Sequence, residues 1–386
     1  MWRLCKLVSK LAVNLGISMH HFSILAKEPE CEARTGILKT AHGEIETPCF
    51  LPVATKGFVK TLSSEELKSC NVEALISNAL HLYMRPTLSI IERHGGLHKF
   101  LKWDRTLFTD SGGFQLVRKF NYKVTDKGVI FKSPDTGQKI EFTPELAMEV
   151  QKKLGSDVNM VLDHCPQWNA SDKQVREAVR HTIAWAEIAK NSFSSPNALL
   201  FGIVQGGFSV ELREACTKAL ERMDFDGYGI GGLSIGEPKE WTHKILEKTV
   251  KIIDENKPRY LMGVGSEDEI LLAVANGIDI FDSAFPTRNA RHRTIFSKKG
   301  KYNVGNAETL GALGPLDTNC QCYTCRNYTL SQVTHYLKEN DGLGMRLASI
   351  HNLFYMETFM REVRESIKNG KFMETYGARV EKLRRD

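Results

Sequence analysis

Three carboxylates and one side-chain amide lie at the ends of short apolar runs. Asp110 ends TLFTD (106–110), Asp163 follows VNMVL (158–162), Gln205 follows ALLFGIV (198–204) and Asp282 ends IDIFD (278–282). An ionised carboxylate at the end of a buried strand is costly unless a cation or a hydrogen-bond donor meets it. For any one of them, capping a helix or turn is an equal alternative. Behind Asp282 come Arg288, Arg291, His292 and Arg293, within FDSAFPTRNARHR (281–293). A carboxylate can attack a sugar carbon that develops oxocarbenium character. Adjacent arginines can hold a nucleic-acid backbone. On charge alone, a solvated basic loop is the plainer reading.

Three glycine-rich stretches accompany these acids: FTDSGGFQ (108–115), GIVQGG (202–207) and GIGGLSIGE (229–237). Each taken singly is most often a tight turn. Together with Asp110, Asp163 and Gln205, bare backbone offers acceptors for the N–H groups of a purine-like base and donors for its carbonyl. Phe114 and Met262 supply flat apolar walls for such a base.

The densest metal signal is Cys320-x-Cys322-x2-Cys325, with His351 after 25 intervening residues. Three thiolates and an imidazole make a closed tetrahedral set. Such a set leaves no position for water, so one structural zinc is expected. Three free thiols in a loop are the bland alternative.

Eight short β-rich runs position these groups: 49–54, 73–78, 106–109, 158–162, 198–204, 227–232, 259–264 and 278–282. Helical periodicity fills most of the intervals, at 64–70, 84–94, 143–154, 172–190, 209–222, 238–254 and 267–276. Eight strands alternating with helices predict an α/β fold, a closed (β/α)8 TIM barrel. A doubly wound open sheet is the alternative, but no GxGxxG follows the first strand. In a barrel, chemistry gathers at the carboxyl ends of the strands. Those ends carry Asp110, Asp163, Gln205, Gly232, Met262 and Asp282, so three carboxylates would converge on one mouth.

Two segments break the rhythm. Residues 118–142 read as an antiparallel insertion, with turns at 126–128 and 135–137. Residues 294–340 carry the cysteines, and a last helix is expected from about 344 to 368. The predicted organisation is an extension at 1–18, a barrel over 19–293, a zinc-binding subdomain with the last barrel helix over 294–368, and a charged tail over 369–386 whose end, EKLRRD, frays.

Composition agrees with one well-cored chain. Of 386 residues, 42% are hydrophobic and 25% charged, which excludes collagen-like and low-complexity classes. No run of about 18 apolar residues exists, so no membrane-spanning helix is expected. The net charge of +6 leans mildly towards an anionic partner. Nine cysteines, six of them scattered, show no disulfide framework and favour a reducing compartment. Residues 1–18 carry Arg3, Lys6 and Lys10, no acid, and leucines at helical spacing. An upstream start is the plainer reading, which gives a cytoplasmic protein; a transit peptide would make it mitochondrial.

Taken in order, FTDSGGFQ, GIVQGG, GGLS-x-GE, RYLMGVG, FD-x3-PTRNAR and the C-x-C-x2-C…H set resemble the queuine tRNA-ribosyltransferase, or tRNA-guanine transglycosylase, family in its bacterial catalytic type. The resemblance runs from about residue 30 to about 368. It implies a (β/α)8 barrel with a C-terminal zinc site. The implied reaction replaces the wobble guanine of tRNAs with a GUN anticodon by a 7-deazaguanine. By motif position, Asp282 resembles the nucleophile and Asp110 the general acid/base. Asp110, Ser111, Phe114, Asp163, Gln205, Gly232, Leu233 and Met262 resemble the base-binding set. Arg288 and Arg291 resemble RNA contacts, and Cys320, Cys322, Cys325 and His351 the zinc ligands. A homodimer without membrane attachment is likewise implied.

The chain departs from the bacterial pattern at His164, where glutamate is usual, and at Ala290, His292 and Arg293. Ile235 and Cys165 are bulkier than the residues of queuine-using relatives, which points to 7-aminomethyl-7-deazaguanine rather than queuine. Three rivals remain. A non-catalytic subunit of a heterodimeric transglycosylase need not keep both Asp110 and Asp282. An archaeosine-type enzyme would add an RNA-binding domain, for which the length leaves no room. A barrel metallohydrolase needs an open metal site at the mouth.

Overall fold

The computed structural model describes residues 21–115, 122–134, 136–234 and 239–385. Its eight parallel barrel strands are β4 (Cys49–Pro52), β5 (Ala74–Asn78), β6 (Thr106–Asp110), β10 (Val158–Met160), β11 (Leu199–Val204), β12 (Gly227–Ile230), β13 (Arg259–Leu261) and β14 (Ile280–Ser283). Each pairs with its neighbour in chain order, and β14 pairs with β4. A parallel bridge between Val53 and Ile76, with Ala54 N donating to Ile76 O at 2.7 Å, joins the last gap. The strands are legible because they are covered on both faces; every residue of β4, β5, β11 and β12 is buried.

The helices between them start on sequence-encoded caps. Ser63 with Glu66, and Ser171 with Gln174, form capping boxes before helices Ser64–Ser69 and Asp172–Ser192. Thr143 caps helix Pro144–Leu154, which ends at Gly155 with a φ of 72°. The helix expected over 84–94 is divided. Pro86 disfavours a helical conformation at Arg85, whose φ and ψ are −147° and 129°, so helix Ala79–Leu82 passes through a π-turn to helix Leu88–Arg93.

Three strands precede the barrel: β1 (Phe22–Lys27), β2 (Arg34–Thr40) and β3 (Gly43–Thr47) form an antiparallel sheet. The sequence reading placed these residues within the barrel; the barrel proper begins at Cys49. Arg34 fastens this sheet to the amino end of the barrel. It donates to both oxygens of Asp279, at 2.9 and 2.6 Å, and to the carbonyls of Glu255 and Lys257. The opposite, carboxyl end of the barrel is thereby left open.

Strands β7 (Tyr122–Thr125), β8 (Gly128–Lys132) and β9 (Lys139–Phe142) form the antiparallel insertion after β6. After β14, helix Phe285–Arg291 leads into a smaller core of Ala290, Ile295, Val304, Leu316, Val333, Leu337, Leu347 and Ala348. Helix Gly342–Lys368 starts in that core and packs its later turns against the barrel. Residues 372–385, expected as a charged tail with a frayed end, form helix Phe372–Arg385 instead. Phe372, Val380 and Leu383 are buried in the main core, which offsets the cost of ordering a charged segment. No helix among the described residues is long and apolar enough to cross a membrane.

Candidate active site

The strand ends meet around a cavity of about 310 Å³ at the carboxyl end of the barrel. Asp110, Phe114, Asp163, Gln205, Gly232, Leu233, Met262, Asp282 and Arg288 all line it. Ser111 is buried beside Asp110, and its hydroxyl has no hydrogen-bond partner among the described residues. Arg291 lies in the adjoining groove, which shares Arg288 with the cavity. The Cys320, Cys322, Cys325 and His351 set is a separate site. Ile235, one of the two residues expected to narrow the pocket, lies outside the described residues; Cys165 is on the cavity wall.

Asp282 comes from the end of β14, and one of its oxygens is fully engaged. Oδ1 accepts from the Tyr260 hydroxyl at 2.5 Å and from Gly263 N at 2.8 Å. Oδ2 makes no hydrogen bond among the described residues. Burial raises the Asp282 pKa, and these two donors oppose the rise. Asp110 accepts from Asn78 Nδ2 at 2.9 Å. Burial, together with the Asp163 and Asp282 charges, pushes its pKa up to about 7. Asp110 is thus the acid that can carry a proton at neutral pH.

Asp163 and Gln205 form the floor's polar pair. Gln205 Nε2 donates to Asp163 Oδ2 at 2.7 Å. Gln205 Oε1 is buried without a partner among the described residues, an acceptor left for a ligand N–H. Burial pushes Asp163 up to about 6. Two glycines make this closeness possible. A Cβ on Gly113 would stand 2.5 Å from the Asp163 carbonyl oxygen, and one on Gly232 would stand 2.7 Å from Gln205 Oε1. Gly232 also has a φ of +69°, in the left-handed region.

Several residues of the site carried no signal in the sequence reading. Tyr260 lies within the run 259–264 and Asn78 ends the run 73–78; neither was singled out. Arg213 lies in the helical stretch 209–222 and was not singled out. It is fully buried and holds two strand-end loops together. Its Nε donates to Gly207 O at 2.9 Å, and its Nη1 to Val204 O at 3.0 Å and Gly231 O at 2.7 Å. His164, at the position usually held by glutamate, brings no charge to the site. Burial, then neighbouring His181, pushes its pKa down to about 4.

The ligand atoms of Cys320, Cys322, Cys325 and His351 all lie within 4.8 Å of one another, close enough to hold a metal ion. His351 Nδ1 faces the thiols, 3.2 Å from Cys325 Sγ and 3.6 Å from Cys322 Sγ. Its Nε2 bonds the Phe296 carbonyl at 2.8 Å, which commits the other nitrogen to the ligand set. The donors therefore suit a thiophilic divalent ion. Among the described residues, groups able to share an ion occur here and at His42, His98 and Asp157, the latter beside the amino-end sheet; neither lies at the barrel mouth.

The model of one family, queuine tRNA-ribosyltransferase, matches residues 30–385. The chain belongs to the queuine tRNA-ribosyltransferase family. It is an enzyme of the pentosyltransferase class. A queuine tRNA-ribosyltransferase of Thermoanaerobacter sp. (strain X514) is 45% identical over 355 residues, covering 92% of this chain and 95% of the relative. That of Thermotoga maritima is 45% identical over 350 residues, covering 91% and 95%. That of Lysinibacillus sphaericus is 44% identical over 354 residues, covering 89% and 93%. The chain spans nearly the whole length of these relatives, so membership extends to both the barrel and the Cys3His subdomain.

Proposed function

We propose that this member of the family exchanges the wobble guanine of tRNAs with a GUN anticodon for a 7-deazaguanine through a covalent enzyme–RNA intermediate. The observation that carries this reading is the pairing of Asp282 and Asp110 in one base-sized cavity. One oxygen of Asp282 is engaged and the other has no partner among the described residues, while Asp110 titrates near neutrality. Asp282 Oδ2 attacks C1′ of the extruded nucleotide as the bond from C1′ to guanine breaks. Asp110 gives its proton to the leaving base, then takes one from the incoming base. The second attack returns Asp282 to a free carboxylate. One glycosidic bond replaces another, so no nucleotide triphosphate is needed.

Asp163, the free Gln205 oxygen and the backbone at Gly232 and Leu233 read the edge of the base. Phe114 and Met262 cover its faces. Cys165 packs beside Gly232, which favours 7-aminomethyl-7-deazaguanine over the bulkier queuine. Zinc in the Cys3His set stabilises the subdomain and takes no part in the exchange. We further propose a cytoplasmic homodimer. The alternative, a non-catalytic subunit, is disfavoured because both carboxylates are present and share one cavity.

The test is incorporation of labelled guanine into a GUN tRNA, with 7-aminomethyl-7-deazaguanine and queuine as competitors. Incorporation blocked more strongly by the aminomethyl base supports the reading. No incorporation by folded, zinc-loaded protein overturns it and leaves the binding-subunit alternative.

A further inference from the structure

Beside the cavity runs a groove of about 670 Å³ whose lining combines cations with one exposed ring. Lys56, Lys60, Arg85, Arg288 and Arg291 line it together with Phe58, and no carboxylate does so among the described residues. Val53, Ala284 and Arg288 line both groove and cavity, so the two are continuous next to Asp282. Lys56, Lys60, Arg288 and Arg291 form no ion pair among the described residues, and Arg291 Nη1 is buried without a partner. The groove therefore has room for negative charge that the described residues do not supply.

Phe58 is 53% exposed, although its loop is well fastened. Ala54 and Val59 on either side are buried in the main core. Gly57 N donates to Ala54 O at 2.9 Å, and Leu62 N to Val59 O at 3.2 Å. A Cβ on Gly57, whose φ is +79°, would stand 3.3 Å from the Phe100 ring, so the backbone lies close against the body of the protein. The ring is thus presented outward by an anchored loop. An aromatic face flanked by cations is the arrangement with which proteins bind unpaired nucleotides.

We propose that Phe58 is a stacking platform for an unpaired base flanking the exchanged guanine, with Lys56, Lys60, Arg288 and Arg291 holding the adjoining phosphates. The inference rests on the transglycosylase reading above. The RNA backbone is continuous, so a nucleotide whose base occupies the cavity leaves its neighbours at the cavity rim, and the groove is the charged part of that rim. A second copy of this chain is a poorer occupant, because two such grooves would set like charges against each other.

The test measures binding of a GUN anticodon stem-loop RNA, intact or with a single abasic site on either side of the guanine. For the intact loop, Phe58→Ala is expected to weaken binding about 5- to 150-fold, the range of one base–aromatic stack. For the loop that is abasic at the stacked position, the same substitution costs little. Phe58→Trp retains affinity, and its emission is quenched by the intact loop. Equal binding by native and Phe58→Ala proteins overturns the platform, as does a loss of the same size for every loop. A Phe58→Ala protein that dissociates from dimer to monomer in sedimentation assigns the ring to a protein interface and overturns it too. If the native protein fails to bind the stem-loop at all, the transglycosylase reading itself falls, and the platform with it.

Discussion

Tyr260 Oη and Gly263 N both donate to Oδ1 of Asp282, at 2.5 and 2.8 Å, and leave Oδ2 without a partner among the described residues. The two oxygens of one carboxylate are thereby made different. The engaged oxygen fixes the orientation and opposes the rise in pKa caused by burial. The other is left to act. Replacing Tyr260 by Phe removes a donor to the ionised form, so the Asp282 pKa rises. The acid limb of the rate profile is expected to move to higher pH, with kcat reduced about 10- to 100-fold near neutrality. An unchanged pH profile of base exchange contradicts this.

In the proposed exchange, the raised pKa of Asp110, about 7, ties activity to stability. The unfolded chain releases this proton near the ordinary carboxylate value, and the folded chain holds it until about 7. The protonated, folded form is therefore favoured below that window, and the advantage is lost as pH rises through about 7. Asp110→Asn keeps a neutral side chain throughout. It is expected to match the native protein in stability near pH 4 and to exceed it by about 1–3 kcal/mol near pH 8. Base exchange by the same variant is expected to fall about 10²- to 10⁴-fold. Urea melts at the two pH values and an exchange assay check both halves.

Arg213 ties together loops that line the proposed base site, since its guanidinium bonds the carbonyls of Val204, Gly207 and Gly231. Arg213→Lys keeps the charge and loses the fork. The expected result is a KM for the incoming base raised about tenfold, with kcat changed by less than about threefold. A loss confined to kcat indicates a role in the chemical step instead.

The Cys3His set joins the loop after β14 to helix Gly342–Lys368. Removal of its metal is expected to lower the melting temperature by more than about 5 °C and to increase amide exchange first around 317–328 and 342–352. Restoring zinc should reverse both. Melting insensitive to chelation contradicts a structural metal.

The barrel was legible because fully covered strands are continuous apolar runs, and because the acids at their ends interrupt those runs abruptly. The sheet β1–β3 was not. β1 alternates in burial, and GEIET (43–47) carries two glutamates, so these strands read as surface. Helix Phe372–Arg385 was hidden by its charge, yet Phe372, Tyr376, Val380 and Leu383 recur at helical spacing and marked it. Within the cavity, the lining groups proposed to touch a ligand stand at strand ends, where the sequence marks them. Those that orient them carry no such mark, because their partners are distant in the chain. Tyr260 meets Asp282 22 residues away, and Arg213 reaches Gly231 across 18. Spacing in sequence carries no trace of such contacts.

In the proposed exchange, Asp282 becomes covalently bound to the ribose. Mixing the protein with a GUN stem-loop RNA, denaturing rapidly and separating by mass reads this directly. A protein–RNA adduct is expected for the native chain, located by peptide mapping at Asp282, and none for Asp282→Asn. An adduct that persists in Asp282→Asn, or that maps to another residue, contradicts it.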